Sequence, residues 1–355
     1  MNRTYMKTIA GILFSAAVLT AAGDARVTGL AKEVHGKGWI VYSGLTETGD
    51  WDLFLMRPDG SDQRNISNSK DFNEMGGRFS PDGKKLLYRR IPKDSKINHD
   101  VWGAMGELIT ANSDGSGATA YGKPGEFGWA SWSPDGSQLA CLSKTGIEIV
   151  DFASKKVLRK VDRKGIYQQL FWSPDGKWLT GTANHYGESW TVVRMDAATA
   201  EVNPVSKFQT CTPDWFPNSK RLIYSSRPAN QEEDPKLSQS VGQKTGYGWT
   251  QLWMVDGDGK EKSLVYGEDG RHIYGGAISP DSRYVIFTRS PVDGGLGIGD
   301  QGAPMGLMRL ADAPSIGGES KALRKLQGHT KDGPVLPLPN GWEPHWTYAE
   351  VAGKK

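Results

Sequence analysis

The sequence predicts an all-β fold, a six-bladed β-propeller built from four-stranded blades. Three observations lead to this prediction. The chain of 355 residues contains 45 Gly and 19 Pro, which suits many short strands joined by tight turns. One strand–turn–strand motif recurs five times, and a second hairpin follows in each repeat. A repeat of about 40 residues containing two hairpins is typical of a propeller blade.

The repeat motif is an aromatic or apolar residue, then Ser-Pro-Asp-Gly, then a short alternating strand. Its five copies begin at Phe79, Trp132, Trp172, Trp215 and Ile278, at intervals of 53, 40, 43 and 63 residues. Pro presets φ for a tight turn, Asp hydrogen-bonds the local backbone, and Gly tolerates positive φ. In the last two copies Ser replaces Gly, which we expect to cost little provided that this residue need not be left-handed.

The second hairpins and the chain ends complete the ring. The predicted outer hairpins begin with Asp52–Met56, Glu107–Ala111, Gly146–Val150, Thr191–Met195, Gln251–Val255 and Gly306–Leu310. The outer strand of the sixth hairpin is predicted at Ala322–Leu326. Because six outer hairpins accompany five full motifs, the two ends must supply the missing inner pair. We expect a C-terminal strand at about 343–348 to pair with an N-terminal strand at about 38–43, which closes the ring and removes exposed sheet edges.

The first residues have the pattern of a signal peptide. Arg3 and Lys7 precede the apolar run Ile9–Leu19, which is too short to span a bilayer, and small residues follow. We therefore predict a bacterial periplasmic or secreted protein without a transmembrane anchor after cleavage. The predicted organisation is a signal peptide over 1–23, a short linker over 24–37, the propeller over 38–348 and a tail over 349–355. The two cysteines, Cys141 and Cys211, fall in non-adjacent blades and are predicted to be separate buried thiols.

The motif, in the form W-S-P-D-G-K-x-[LI]-x-[YF], resembles the blade repeat of the TolB-like propeller family. The resemblance extends from about Gly38 to Tyr348. It implies a six-bladed propeller and an exported binding or interaction module. TolB itself has an α/β domain before its propeller, whereas only the predicted linker precedes the propeller here, so we expect that domain to be lacking. Peptidase accessory domains and some polysaccharide lyases carry the same repeat, so the resemblance specifies fold more than function.

Long insertions predict where a ligand binds. Ile91–Ala104, Arg227–Gly248, Ser290–Met305 and the closing connection Gln327–Gly341 all fall in loops on one face, here called the insertion face. A rigid ring elaborated on one face indicates a binding face, with neutral surface insertions as the alternative. We predict a non-catalytic module that binds a protein, peptide or glycan there. The candidate binding residues are His99, Trp129, Gln168, His185, Tyr186, Arg271, His272, Tyr274, Trp342 and His345.

Two other functions stay open. His99, His185, His272 and His345 would approach a central funnel, and imidazole suits several transition metals, so a metal-assisted lyase of the oligogalacturonate type is the alternative. A purely structural part of an exported assembly is the third hypothesis. No His pair has H-x-H or H-E-x-x-H spacing, and G-x-S-x-G and Walker motifs do not occur, so catalytic residues, metal and cofactor are left unassigned. The net charge of +3 and scattered Lys and Arg argue against nucleic acid.

Overall fold

The structure of the chain is a computed structural model. It describes residues 24–95, 106–186, 189–207, 209–227, 250–256, 259–268, 271–291, 303–314, 317 and 333–351. In these residues six four-stranded antiparallel sheets form a ring, which confirms the predicted six-bladed β-propeller.

Blade 1 contains strands from both ends of the chain, and blades 2 and 3 follow it. Blade 1 comprises β24 (Trp342–Thr347), β1 (Trp39–Leu45), β2 (Trp51–Met56) and β3 (Arg64–Asn65). Blade 2 comprises β4 (Phe72–Phe79), β5 (Lys85–Pro92), β6 (Glu107–Asn112) and β7 (Thr119–Ala120). Blade 3 comprises β8 (Phe127–Trp132), β9 (Gln138–Ser143), β10 (Ile147–Asp151) and β11 (Val157–Val161). Each blade is written from its innermost to its outermost strand.

The remaining blades follow in chain order. Blade 4 comprises β12 (Ile166–Trp172), β13 (Trp178–Tyr186), β14 (Ser189–Asp196) and β15 (Val202–Pro204). Blade 5 comprises β16 (Gln209–Trp215), β17 (Arg221–Arg227), β18 (Gln251–Asp256) and β19 (Lys262–Tyr266). Blade 6 comprises β20 (Arg271–Ile278), β21 (Tyr284–Pro291), β22 (Pro304–Arg309) and β23 (Leu336–Asn340), with a 3-10 helix at Leu310–Asp312 after β22.

The ring closes as the sequence predicts. β24 pairs antiparallel with β1, and Ile40 lies opposite Trp346. The Trp346 indole is buried in the hydrophobic core and its Nε1 donates to the Lys37 carbonyl at 2.7 Å. The last strand is therefore held by backbone pairing, by apolar burial and by a side-chain hydrogen bond, so the two ends of the chain are joined within one blade.

The repeat motif forms the same turn in each copy, and blade 2 shows how. The Ser80 hydroxyl donates to the Asp82 carboxylate at 2.6 Å and accepts from the Lys85 amide at 2.9 Å, while Gly83 has φ +70°. In the two copies with Ser in place of Gly, Ser219 and Ser282 have φ of 57° and 58°. The condition under which the replacement would cost little is therefore not met. The turn requires positive φ there, and each Ser carries the strain of that conformation.

A helix lies where the sequence predicts a linker. Helix α1 (Ala25–Val34) begins after Asp24, whose side chain accepts from the Arg26 amide. Leu30 and Val34 are fully buried in the core shared by blades 1 and 6. This segment therefore packs against the propeller. None of the helices in the described part of the chain is long and apolar enough to cross a membrane.

The outer strand of blade 6 also departs from the prediction. β23 occupies Leu336–Asn340, within the segment interpreted as the closing connection, whereas Ala322–Leu326 lies outside the described residues. Its sequence, LPLPN, has prolines at alternate positions, a pattern that disfavours a central strand. An edge strand tolerates proline because its outward N–H groups need no partner, and Leu336 and Leu338 are buried between the prolines.

The two cysteines are both buried. Cys141 lies in blade 3 and Cys211 in blade 5, and no disulfide joins them, as predicted. Three of the four predicted insertions, in blades 2, 5 and 6, fall between the second and third strands of their blades. Most of their residues lie outside the described part of the chain.

Candidate functional site

A cavity of about 450 Å³ lies on the face opposite the insertions of blades 2, 5 and 6. The prediction that Gln327–Gly341 lies on the insertion face is wrong for residues 333–335, which enter β23 from the cavity side because β22 runs toward that side. The inner strand of every blade ends on the face that holds the cavity, in blades 2 to 6 at the turn of the repeat motif, so we name it the turn face. Five prolines, each from one copy of the motif, line the cavity: Pro81, Pro134, Pro174, Pro217 and Pro280. Because Pro fixes φ and the turns are hydrogen-bonded, this lining is rigid.

Aromatic side chains form much of the cavity wall. They are Phe79, Trp132, Phe171, Trp172, Trp215, Trp346 and Tyr348. Most of them are the first residue of a repeat motif, so the residue that packs adjacent blades together also supplies the wall. Trp172 is half-buried, and its Nε1 donates to the Gly176 carbonyl at 3.0 Å. The wall is therefore pre-formed by blade packing.

The residue just before each motif varies among the blades. In blades 1 to 6 it is His345, Arg78, Ser131, Phe171, Asp214 and Ala277. All but Ala277 line the cavity. The charged groups of the cavity and its imidazole therefore come from a position at which the repeats differ.

Three of these side chains hold the next blade in place. His345 Nδ1 accepts from the Phe79 amide at 3.1 Å, and Ser131 Oγ accepts from the Trp172 amide at 2.9 Å. Asp214 Oδ2 accepts from the Ile278 amide at 3.5 Å. Blades 1, 3 and 5 thus provide acceptors for the exposed inner edges of blades 2, 4 and 6.

Arg78 crosses the channel. Its Nη1 donates to the carbonyls of Glu343 and Pro344 in blade 1, at 3.1 and 3.0 Å. Its guanidinium lies 4.9 Å from the ring centre of Phe171 in blade 4. Burial lowers its pKa, and Glu343 and Asp214 oppose that shift. Arg78 therefore connects three blades and places a positive charge among the aromatic rings.

The two titratable neighbours of Arg78 have shifted pKa values. Burial raises the pKa of Asp214 to about 6, although the charge of Arg78 favours the carboxylate. Burial and Arg78 together lower the pKa of His345 to about 3, so its imidazole is neutral at pH 7. Since Nδ1 accepts a hydrogen bond, the ring proton resides on Nε2. At neutral pH the cavity thus contains one cation, one anion and one neutral imidazole.

A second buried charge cluster lies farther along the channel. Arg89 Nη2 is 3.7 Å from Glu343 Oε2, and the Arg89 guanidinium lies 4.0 Å from the ring centre of Trp129. Burial lowers the pKa of Arg89 to about 10. Gly76 has φ +69°, and a Cβ there would lie 3.0 Å from Glu343 Oε2. Glycine at this bulge leaves room for the ion pair.

The structure brings three predicted site residues together on the insertion side. His272, Tyr274 and Trp342 are buried; the Tyr274 ring centre is 5.9 Å from that of His272 and 5.6 Å from that of Trp342. His272 Nδ1 accepts from the Thr250 amide at 3.1 Å. These contacts are those of a packed, hydrogen-bonded core.

Four other predicted residues lie apart from that group. Trp129 and Gln168 are buried in the inner strands β8 and β12, and Tyr186 packs half-buried against the core at the end of β13. Arg271 forms an ion pair with Glu268 at 3.0 Å. His99 and the side chain of His185 lie outside the described residues.

The histidine set does not converge in the described part of the chain. His272 lies six residues before the motif residue Ile278, whereas His345 lies one residue before Trp346. Because the inner strands run in the same direction, the two histidines are about 15 Å apart along the channel. Among the described residues no group of three His, Cys, Asp or Glu side chains is placed to hold a metal ion.

Sequence reasoning missed Arg78 and Asp214, which with the predicted His345 define the cavity. It concentrated on what the motif copies share and on the insertions. The available signal was the residue before the motif, where Arg78 and Asp214 each place a charge that would be buried at the channel. A position that varies inside a regular repeat is not fixed by the turn that the copies share, so it can carry side chains that differ in charge from blade to blade.

Comparisons with known proteins agree with this architecture. No protein-family model and no curated protein sequence matches the chain. Among solved structures, TolB from Acinetobacter baumannii matches with a TM-score of 0.59 and 17% identity over 88% of this chain and 67% of that one. A TolB-assigned structure from Agrobacterium tumefaciens matches with a TM-score of 0.50 and 16% identity over 86% and 97%. A chain of a nidogen/laminin complex matches at 0.54 and 10% identity over 79% and 92%. The chain therefore has the fold of the TolB-like six-bladed β-propellers.

Proposed function

We propose that this chain is an exported, non-catalytic binding module that holds an extended segment of a partner protein in the turn-face cavity. The observation that carries the proposal is the composition of that cavity. Aromatic walls and a rigid proline lining surround a few convergent polar groups, which is the usual character of a ligand site. Its volume of about 450 Å³ suits a few side chains of a peptide.

The charges in the cavity support a polar peptide rather than a purely apolar ligand. Arg78 is a fixed cation whose Nη1 already holds two backbone carbonyls, so it is pre-oriented. Asp214 is ionised at neutral pH although burial disfavours its charge. A ligand with hydrogen-bonding groups would stabilise that carboxylate, and its apolar side chains would contact Trp172 and the other rings.

A buried, costly carboxylate is itself an argument for function. A buried Asp with a raised pKa weakens the fold at neutral pH, and asparagine would retain an acceptor oxygen without the charge. Perturbed ionisable groups concentrate at functional sites because binding, rather than stability, requires them. Asp214 fits that description, since it lies in the cavity.

The predicted insertion-face site and its possible glycan ligand stay predictions. Three of the four insertions, those of blades 2, 5 and 6, lie mostly outside the described residues, and the predicted residues on that side are mainly packed or ion-paired. The lyase alternative requires a metal site, which the described histidines do not form together. Export likewise stays a prediction, because residues 1–23 are outside the described part of the chain.

A library selection tests the proposal. The purified full chain is screened against a random peptide library, and hydrogen exchange is then measured with and without the selected peptide. We expect new protection in the turn segments at 79–83 and 172–176, which border the cavity. Protection confined to insertion-face loops such as 46–50, or failure to select any peptide while a glycan array gives binding, would overturn it.

A further inference from the structure

The outermost strand of blade 3 differs from those of the other blades. β11 has five residues, of which four are exposed and Val161 is half-buried. The outer strands β3, β7 and β15 have only two or three residues. β19 and β23 are as long, but β19 buries its last three residues and β23 buries two leucines. Blade 3 therefore presents a long, open sheet edge.

Two apolar side chains are exposed on this edge. Val157 is 38% and Leu158 is 50% exposed, and they are the exposed large hydrophobic residues of the described chain. The register between β10 and β11 shifts at this point, so that Val150 pairs with Val157 and Ile149 with Arg159. Leu158 thus has no partner on β10. Proteins usually blunt open edges with charges, and exposed aliphatic side chains work against that protection.

Basic residues surround the apolar pair. Between 155 and 164 the sequence KKVLRKVDRK contains six Lys and Arg and one Asp. Two cations are held in position: Arg159 donates to the carbonyls of Ala197 and Ala198 in blade 4, and Lys160 pairs with Glu148 at 3.0 Å. The edge is therefore positively charged and partly pre-ordered.

We propose that the outer edge of β11 binds an extended acidic segment of a partner protein by strand addition. No described strand pairs with that edge, so its outward N–H and C=O groups would form the ladder. Glu and Asp side chains of the added strand would meet the cations, and apolar side chains would cover Val157 and Leu158. A second copy of this chain fits less well, because two basic edges repel each other.

Peptide binding to the full chain tests the proposal. The probe is a labelled seven-residue peptide that alternates Glu and Val. The control peptide has proline in place of each valine, which keeps the charge and removes backbone N–H donors. We expect the first peptide alone to bind, weakening with added salt, and to protect the amides of 157–161 from hydrogen exchange. Equal binding of the proline peptide would overturn strand addition.

Matched variants locate the site. Lys156→Glu with Lys164→Glu should weaken the peptide by about tenfold or more, whereas Lys84→Glu with Lys123→Glu should leave it within about twofold. Replacing Val157 and Leu158 by Ser, both exposed, should weaken binding without unfolding the blade. Equal effects of the two charge reversals would overturn the proposal. Two further results without peptide binding would also overturn the proposal. One is charge-dependent binding to phosphatidylglycerol vesicles, and the other is self-association that is lost in Leu158→Ser.

Discussion

Replacing Asp214 with asparagine should stabilise the protein at neutral pH. In the folded state burial raises the carboxyl pKa from 3.8 to about 6. The stability that this group contributes is fully present below pH 3.8, and it is lost as pH rises through about 6. That pKa shift corresponds to a loss of about 3 kcal/mol in the free energy of unfolding. Because Asp214 faces the cavity, solvent screening reduces the expected loss to about 1–2 kcal/mol. The asparagine side chain would keep one acceptor oxygen, for the Trp215 amide that now donates to Oδ1 at 2.9 Å, without a charge. Its NH₂ group would replace Oδ2, which accepts only a long hydrogen bond of 3.5 Å from the Ile278 amide.

The assay is urea denaturation of the wild type and Asp214→Asn from pH 4 to pH 8. We expect equal free energies of unfolding near pH 4 and an advantage for the variant of about 1–2 kcal/mol above pH 7. Glu201→Gln, at an exposed site in blade 4, serves as the control and should show no such crossover. A variant that is less stable than the wild type at pH 8 would refute the reasoning.

Three further predictions concern the helix, the turns and the histidines. Hydrogen bonding by Arg309 lowers the pKa of Glu33 from 4.5 to about 2. Glu33→Gln should therefore lower the free energy of unfolding by about 1 kcal/mol at pH 7, and this effect should shrink as pH falls from 4.5 toward 2. Urea titrations at pH 7 and pH 3 check this prediction. Ser282→Gly should raise thermal stability by about 1 kcal/mol because it relieves a left-handed residue, and no gain in calorimetry would contradict this. Elemental analysis should find no stoichiometric Mn²⁺ or Ca²⁺ in the wild type, and the same metal content in the double variant with His272→Ala and His345→Ala. Metal that is present in the wild type and lost in the double variant would support the lyase alternative.

The fold was predictable because every copy of the motif forms its turn for the same local physical reasons. Each Ser-Pro-Asp-Gly copy determines one turn through local hydrogen bonds and backbone preferences, so a single copy is sufficient to interpret the others. Ring closure followed from counting hairpins, and the pairing of Ile40 with Trp346 confirms it. Where Pro337 and Pro339 interrupt the pattern, the prediction missed β23, since proline in an edge strand cannot be told from proline in a loop without its neighbours.

The candidate site was less predictable because it depends on contacts between blades. Nothing local to Arg78 indicates that its guanidinium reaches blades 1 and 4, and nothing local to Asp214 indicates that its environment raises its pKa. His345 was singled out, but it lies at the turn-face cavity rather than with His272. Distances across a ring come from how the blades pack, which composition and spacing do not specify.

Blocking the cavity tests the central claim most directly. Ala349 lines the cavity and is half-buried, so Ala349→Trp would fill it, whereas Glu47→Trp adds the same side chain to an exposed loop of the insertion face. The measurement is the affinity of a library-selected peptide for both variants, after circular dichroism shows that each is folded. We predict that Ala349→Trp weakens binding by about tenfold or more and that Glu47→Trp leaves it unchanged. The opposite result would place the ligand on the insertion face and contradict the account.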